Sequence, residues 1–161
     1  GKTGINSTQG KNLIGTFYQP DFVISDISIL KSLPAREMIS GYGEILKHAL
    51  ILDSKFFSWL KKNGKQIILG NNNILLSQAI IKSCKIKNEI VNKDEKENNL
   101  RMILNFGHTF AHGFEAAKKF SNSINHGEAV LLGMMIASEL SNRMNMLSNK
   151  ELMSLKEHYS D

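Results

Sequence analysis

Residues 101–115 read RMILNFGHTFAHGFE. As one α-helix this stretch places Arg101, Asn105, His108 and His112 at intervals of four, three and four. Residues three and four apart are neighbours on a helix, so the four side chains form one row. Leu104, Phe106, Phe110 and Phe114 supply a looser apolar set on the other side. A cation, an amide and two imidazoles in line are wasteful in a core. They suit a polar cavity that holds an anion and a metal.

Working outward from that stretch, KKFSNSIN (118–125) reads as a loop, and a further helix starts near His126 or Gly127 and runs to about Met146. Ser148 or Asn149 opens a last short helix. Upstream, Lys93–Asn99 (KDEKENN) reads as a solvated connection. Before it lies a long helix from about Ile74 to Asn92, preceded by the polar break Asn71–Asn73. SKFFSWLKKN, capped by Asp53 or Ser54, forms a helix that stops near Gly64. Pro34 suits the first turn of a helix that continues to about Leu52. Residues 1–12 read as a Gly-, Ser- and Asn-rich loop, 13–18 and 21–26 as short strands broken at Pro20, and Ile27–Ser32 as a helical turn or connector. The chain is therefore mostly α with short strands at its N-terminus: an α+β chain or the helical part of a larger α/β protein.

With 161 residues, 42% of them hydrophobic and 22% charged, the chain can bury one ordinary core. No apolar run approaches the ~20 residues that span a bilayer. The single cysteine, Cys84, allows no internal disulfide; it reads as small apolar filler on a helix, and a reducing cytoplasm follows. A net charge of +5 and a pI near 9.3 favour anionic partners. The basic residues are scattered and do not alternate with aromatics, which argues against nucleic acid and for a small phosphorylated metabolite.

Glu44 and Lys47 share a helix face, and the glycines at 41 and 43 just before them suggest a close approach by another element. His126 lies at the start of an apolar helix, where an imidazole can point off the helix end toward a ligand. His48 and His158 have no comparable company and read as surface or boundary residues. A glutamate with two or three histidines from separate helices makes a zinc site with open positions. Spacing alone nominates the His108–His112 pair.

Six stretches, GKTGIN, GKNLIGTFYQP, LPAREM, GYGEILKHALI, NLRMILNFGHTFAHGFEA and NHGEAVLLGM, resemble in order the signature stretches of the 3-dehydroquinate synthase family, within the sugar-phosphate cyclase superfamily. The resemblance implies the helical metal- and substrate-binding C-terminal domain of a dehydroquinate synthase-like α/β enzyme. Residues 1–26 would end an NAD-binding α/β domain, and 27–161 would form the helical domain, incomplete at its C-terminus. It further implies a cytoplasmic lyase of the shikimate pathway, which leads to chorismate and the aromatic amino acids. That enzyme converts 3-deoxy-D-arabino-heptulosonate 7-phosphate to 3-dehydroquinate through transient oxidation by NAD, phosphate elimination, re-reduction and an intramolecular aldol closure.

The same resemblance assigns residues. Glu44, His108 and His126 match the metal ligands, for zinc or alternatively cobalt, which displaces the His108–His112 pairing. His112 matches a residue handling substrate and protons. Lys47, Lys87, Arg101 and Asn105 match catalytic positions that hold phosphate, hydroxyls and carboxylate. Lys2 matches both nucleotide and substrate regions, Asn12 the substrate region, and Lys11 and Ile29, Leu30, Lys31 and Ser32 the NAD contacts. The implied partners are a sugar-acid phosphate and a second subunit of a homodimer, with no nucleic acid and no membrane.

The resemblance departs from the family in three ways. The chain is shorter, lacking the N-terminal NAD domain and the C-terminal tail, so the 161 residues alone should be inactive; sustained phosphate release from them overturns this. Gly43 and Gly113 replace alanine and should soften the helices. Asn99 replaces a glycine and should tolerate a left-handed backbone. The rival readings are another sugar-phosphate cyclase, a metal-dependent polyol dehydrogenase, and a basic helical binding module that binds no zinc.

Overall fold

Two antiparallel strands, β1 (Ile5–Ser7) and β2 (Gly10–Ile14), open the chain as a hairpin paired Ile5 to Ile14 and Ser7 to Gly10. An isolated bridge between Lys2 and Phe17 extends it. The computed structural model describes residues 1–118 and 123–160, without the side chains of Asn6, Lys11 and Asn12. The hairpin corrects the reading of residues 1–12 as loop. Residues 21–26 form no strand, because a strand needs a ladder partner for its amides and none of the described residues supplies one. A 3-10 helix follows over Ile27–Ser32, capped by the Asp26 carboxylate.

Six α-helices follow among the described residues: α1 (Ala35–Leu52), α2 (Ser54–Ile68), α3 (Asn73–Lys93), α4 (His108–Ala117), α5 (His126–Arg143) and α6 (Asn149–Ser160). Their starts are set by local chemistry. Asp53 accepts from the Phe56 amide at 2.8 Å, and Asn72 accepts from the amides of Ile74 and Leu75. Asn125 and Glu128 form a reciprocal capping box at the head of α5. α2 does not stop at Gly64. It runs one turn further, to Ile68, and Gly64 instead marks a close approach: a Cβ there would collide with the Tyr42 hydroxyl of α1.

Residues 101–115 are not one helix. Leu100–Asn105 form a 3-10 helix, and α4 begins at His108 after a break at Phe106–Gly107. Gly107 has φ +80°, and a Cβ there would lie 2.6 Å from Met134 Cγ and 2.7 Å from the Met134 nitrogen. The break thus sits where the chain meets α5. Asn99 is not left-handed (φ −157°); Glu97 two residues earlier is, with φ 60°.

α1 packs against α2, α3 and α5. Phe56, Leu60 and Ile67 of α2, Leu46 of α1, Ile90 of α3, and Val130 and Met134 of α5 are almost completely buried between them. Cys84 is exposed rather than core filler. His48 is buried, with Nδ1 2.6 Å from the Ser83 hydroxyl on α3, and His158 lies 2.8 Å from the Tyr42 hydroxyl. Both histidines tie helices together, so neither is a plain surface residue.

Candidate metal centre and anion pocket

Glu44 on α1, His108 at the start of α4 and His126 at the start of α5 converge. Each offers a ligating atom, and the three atoms lie within 4.8 Å of one another. Close helix crossings produce this. Gly127, beside His126, donates its amide to the Ser40 hydroxyl of α1 at 3.2 Å, and an added Cβ would lie 2.5 Å from the Ser40 carbonyl oxygen. Gly43, beside Glu44, faces Leu131 of α5; Gly41, in contrast, meets nothing within 4 Å among the described residues.

The donors suit a divalent cation. One Glu44 oxygen accepts from the Lys47 ammonium at 2.6 Å, while Oε1 is buried without a hydrogen-bond partner among the described residues. An orphaned carboxylate oxygen is costly unless a cation reaches it. Both imidazoles engage Nδ1: His108 lies 3.3 Å from the Phe106 carbonyl, and His126 3.3 Å from the Glu115 carboxylate. Donation through Nδ1 leaves Nε2 with the lone pair a metal needs. Burial, then the nearby Lys47 charge, holds His108 below its ordinary pKa, so it stays neutral. Burial pushes the Glu44 carboxyl up, but Lys47 and the neighbouring imidazoles outweigh it, and it ionises below its usual range.

Cationic side chains lie near this cluster. Lys47 is only 3% exposed, and its pKa is lowered by burial, partly offset by Glu44 and reinforced by the charges of Lys87 and Lys2. Lys87 itself projects from the exposed side of α3. Arg101 is buried; its guanidinium donates to the Glu95 carbonyl and lies 5.6 Å from the centre of the Phe17 ring. Asn105 donates to Glu97 at 2.8 Å, and Glu97 also pairs with Lys2. His112 is exposed, 5.8 Å from the His108 ring.

The described contacts therefore tie Lys2, Lys47, Arg101, Asn105 and His112 to the three clustered donors or to Glu97, and Lys87 to Lys47 alone among these. They do not tie Ile29, Leu30, Lys31 and Ser32 to it; these lie on the 3-10 helix, with Ile29 66% exposed. Lys11 and Asn12 lie on β2, and their side chains are not among those described. Sequence reasoning missed Glu97, placed in a solvated connection, and Glu115. That connection is anchored: Asp94 accepts from the amides of Asn98, Asn99 and Arg101 at 2.9 Å each, fixing where Arg101 begins. The left-handed backbone at Glu97 (φ 60°) belongs to this anchored turn and is not apparent from the sequence.

One carboxylate and two imidazoles, brought together from three helices with cationic side chains nearby, are a donor set of the kind that metal-dependent enzymes use. The chain belongs to the 3-dehydroquinate synthase family: the model of that family's C-terminal part matches residues 41–161, and that of its N-terminal part matches residues 1–40. It is 53% identical to the 3-dehydroquinate synthase of Pelagibacter ubique over its whole length, and 46% identical to that of Psychrobacter arcticus over 97% of it. It spans only 44% and 40% of those two proteins. Among solved structures it resembles a 2-epi-5-epi-valiolone synthase from Streptomyces hygroscopicus with NAD+ and Zn2+ bound (TM-score 0.89, 28% identity, 99% of this chain and 44% of that one). It also resembles a 2-deoxy-scyllo-inosose synthase complexed with carbaglucose-6-phosphate, NAD+ and Co2+ (TM-score 0.82, 29% identity, 98% of this chain and 42% of that one).

Proposed function

We propose that this chain is the metal- and substrate-binding part of a 3-dehydroquinate synthase, which converts 3-deoxy-D-arabino-heptulosonate 7-phosphate to 3-dehydroquinate and phosphate. The observation that carries this reading is the convergence of Glu44, His108 and His126 with an orphaned, buried Glu44 oxygen. Those three residues would hold zinc or cobalt. A divalent ion there supplies Lewis acidity toward substrate oxygens. NAD supplies the reversible hydride acceptor.

The chain's own side chains do the rest. Lys47, Lys87 and Lys2 neutralise the phosphate, and Arg101 presents a planar pair of donors to the carboxylate. Asn105, now engaged with Glu97, offers its amide to substrate hydroxyls. His112 stands in solvent contact beside His108, where it can take and return protons. Lys11, Asn12 and Ile29–Ser32 belong in this proposal to the nucleotide and substrate regions completed by the rest of the protein. Tyr18, Phe22, Val23 and Ile24 are each at least 75% exposed, an apolar strip suited to cover by such a domain. The boundary is proposed at residues 26 and 27, and the intact enzyme as a cytoplasmic homodimer; no helix among the described residues is long and apolar enough to cross a membrane.

The test is phosphate release by the full-length protein with NAD and zinc, alongside its Glu44→Ala variant. Loss of several kcal/mol of charge stabilisation lowers turnover on the order of a thousandfold, with metal content falling in parallel. Unchanged turnover without bound metal refutes the reading. Equal turnover of a heptulose phosphate lacking the carboxylate favours the alternative cyclase instead.

A further inference from the structure

His126 is half exposed, whereas the carboxylate beside it is not. The Glu115 side chain is 5% exposed against 48% for His126, and its Oε1 lies 3.3 Å from His126 Nδ1. Glu115 lies seven residues after His108 on α4, two turns along the same face. One helix face thus delivers both a donor to the cluster and a carboxylate to the neighbouring donor. The approach of α5 to that face is set by backbone contacts that do not involve Glu115. A Cβ on Gly133 would press on the Gly107 carbonyl and lie 3.1 Å from the Ala111 nitrogen.

Withdrawing a carboxylate from water is costly unless it accepts hydrogen bonds. His126 Nδ1–H meets part of that demand and is thereby committed as a donor. The two histidines are then unequal. His108 rests on the neutral carbonyl of Phe106, His126 on a charged carboxylate, which makes its ring the stronger electron donor.

We propose that Glu115 is a positioning residue of the metal centre: its carboxylate holds His126 in the tautomer and orientation that present Nε2 to the ion, and so sets metal affinity. This rests on the metal reading of Glu44, His108 and His126. Glu115 is not one of the three clustered donors, and the role proposed for it is exerted through His126.

The test uses the full-length protein and its Glu115→Ala, Glu115→Gln and His126→Ala variants. Zinc affinity is read by competition with a chelator, and ligand geometry by the visible absorption of the cobalt-loaded protein. Glu115→Ala should weaken zinc about 10–100-fold and alter the cobalt spectrum. Glu115→Gln, which keeps the shape and an accepting oxygen but not the charge, should fall between; if Glu115→Ala does not fold, Glu115→Gln carries the test. Wild-type affinity and spectrum in the Glu115 variants, with affinity lost in His126→Ala, overturn the proposal and leave the metal reading standing. Wild-type affinity in His126→Ala overturns both.

Discussion

The crossing of α5 over α1 can be perturbed by one methyl group. In Gly127→Ala the new Cβ would contact Ser40 Oγ and Cα and lie 2.5 Å from the Ser40 carbonyl oxygen. Comfortable non-bonded separation is about 3.5 Å, so the helices must part by roughly 1 Å. Overpacking of this kind costs ~1–3 kcal/mol, and the high end applies because the obstacle is backbone. Alanine recovers at most ~1 kcal/mol of helix propensity, leaving a net loss of about 2 kcal/mol.

The same displacement moves His126 relative to Glu44. A 1 Å shift is about half a zinc–nitrogen bond of ~2.0–2.1 Å. Metal affinity should fall by about tenfold or more, or ~1.4 kcal/mol. Denaturant midpoints of the metal-free full-length protein read the first effect, and chelator competition reads the second. Ser40→Ala added to Gly127→Ala removes only the hydroxyl and should not restore either quantity. Equal or greater stability with intact metal affinity refutes the reasoning, and so does rescue by Ser40→Ala, since it would make the obstacle a side chain.

Two further outcomes follow from the same coordinates. Gly41→Ala, with open space at the new Cβ, should stabilise the protein by ~0.5–1 kcal/mol in the same denaturation assay. His48 has its pKa pushed down to about 4 by burial, with the Lys47 charge adding to it, against an ordinary value near 6.5. The neutral form is the folded one, so its stability contribution is complete above about pH 6.5 and is lost as pH falls through about 4; it reaches at most ~3 kcal/mol. The difference in unfolding free energy between wild type and His48→Gln should therefore slope across that window and flatten above it.

Much of the helical framework was legible because its boundaries are local. Pro34, Asp53, Asn72 and Asn125 mark helix starts through their own side chains or fixed φ, and each lies at or next to the expected position. Residues 101–115 were misread as one helix because the interruption is tertiary: Gly107 turns to admit Met134 of α5, while the apolar spacing on either side is unaltered. Glu97, Glu115 and His48 escaped notice for the matching reason that their partners come from other elements. Lys2 and Asn105 meet Glu97, His126 meets Glu115, and Ser83 meets His48.

The clustered donors do leave a trace in the sequence, though not in their own spacing. Each is followed or preceded at once by a glycine: Gly43 before Glu44, Gly107 before His108, Gly127 after His126. An added Cβ at these glycines would meet Leu131, Met134 and Ser40 respectively, each on an adjoining helix. A donor set assembled from three helices requires the backbones to approach more closely than ordinary side chains permit. The residues that permit the approach must lie within a turn of the donors, since helices diverge away from their crossing. Convergence at this centre is therefore encoded as much by the missing side chains as by the carboxylate and imidazoles they bring together.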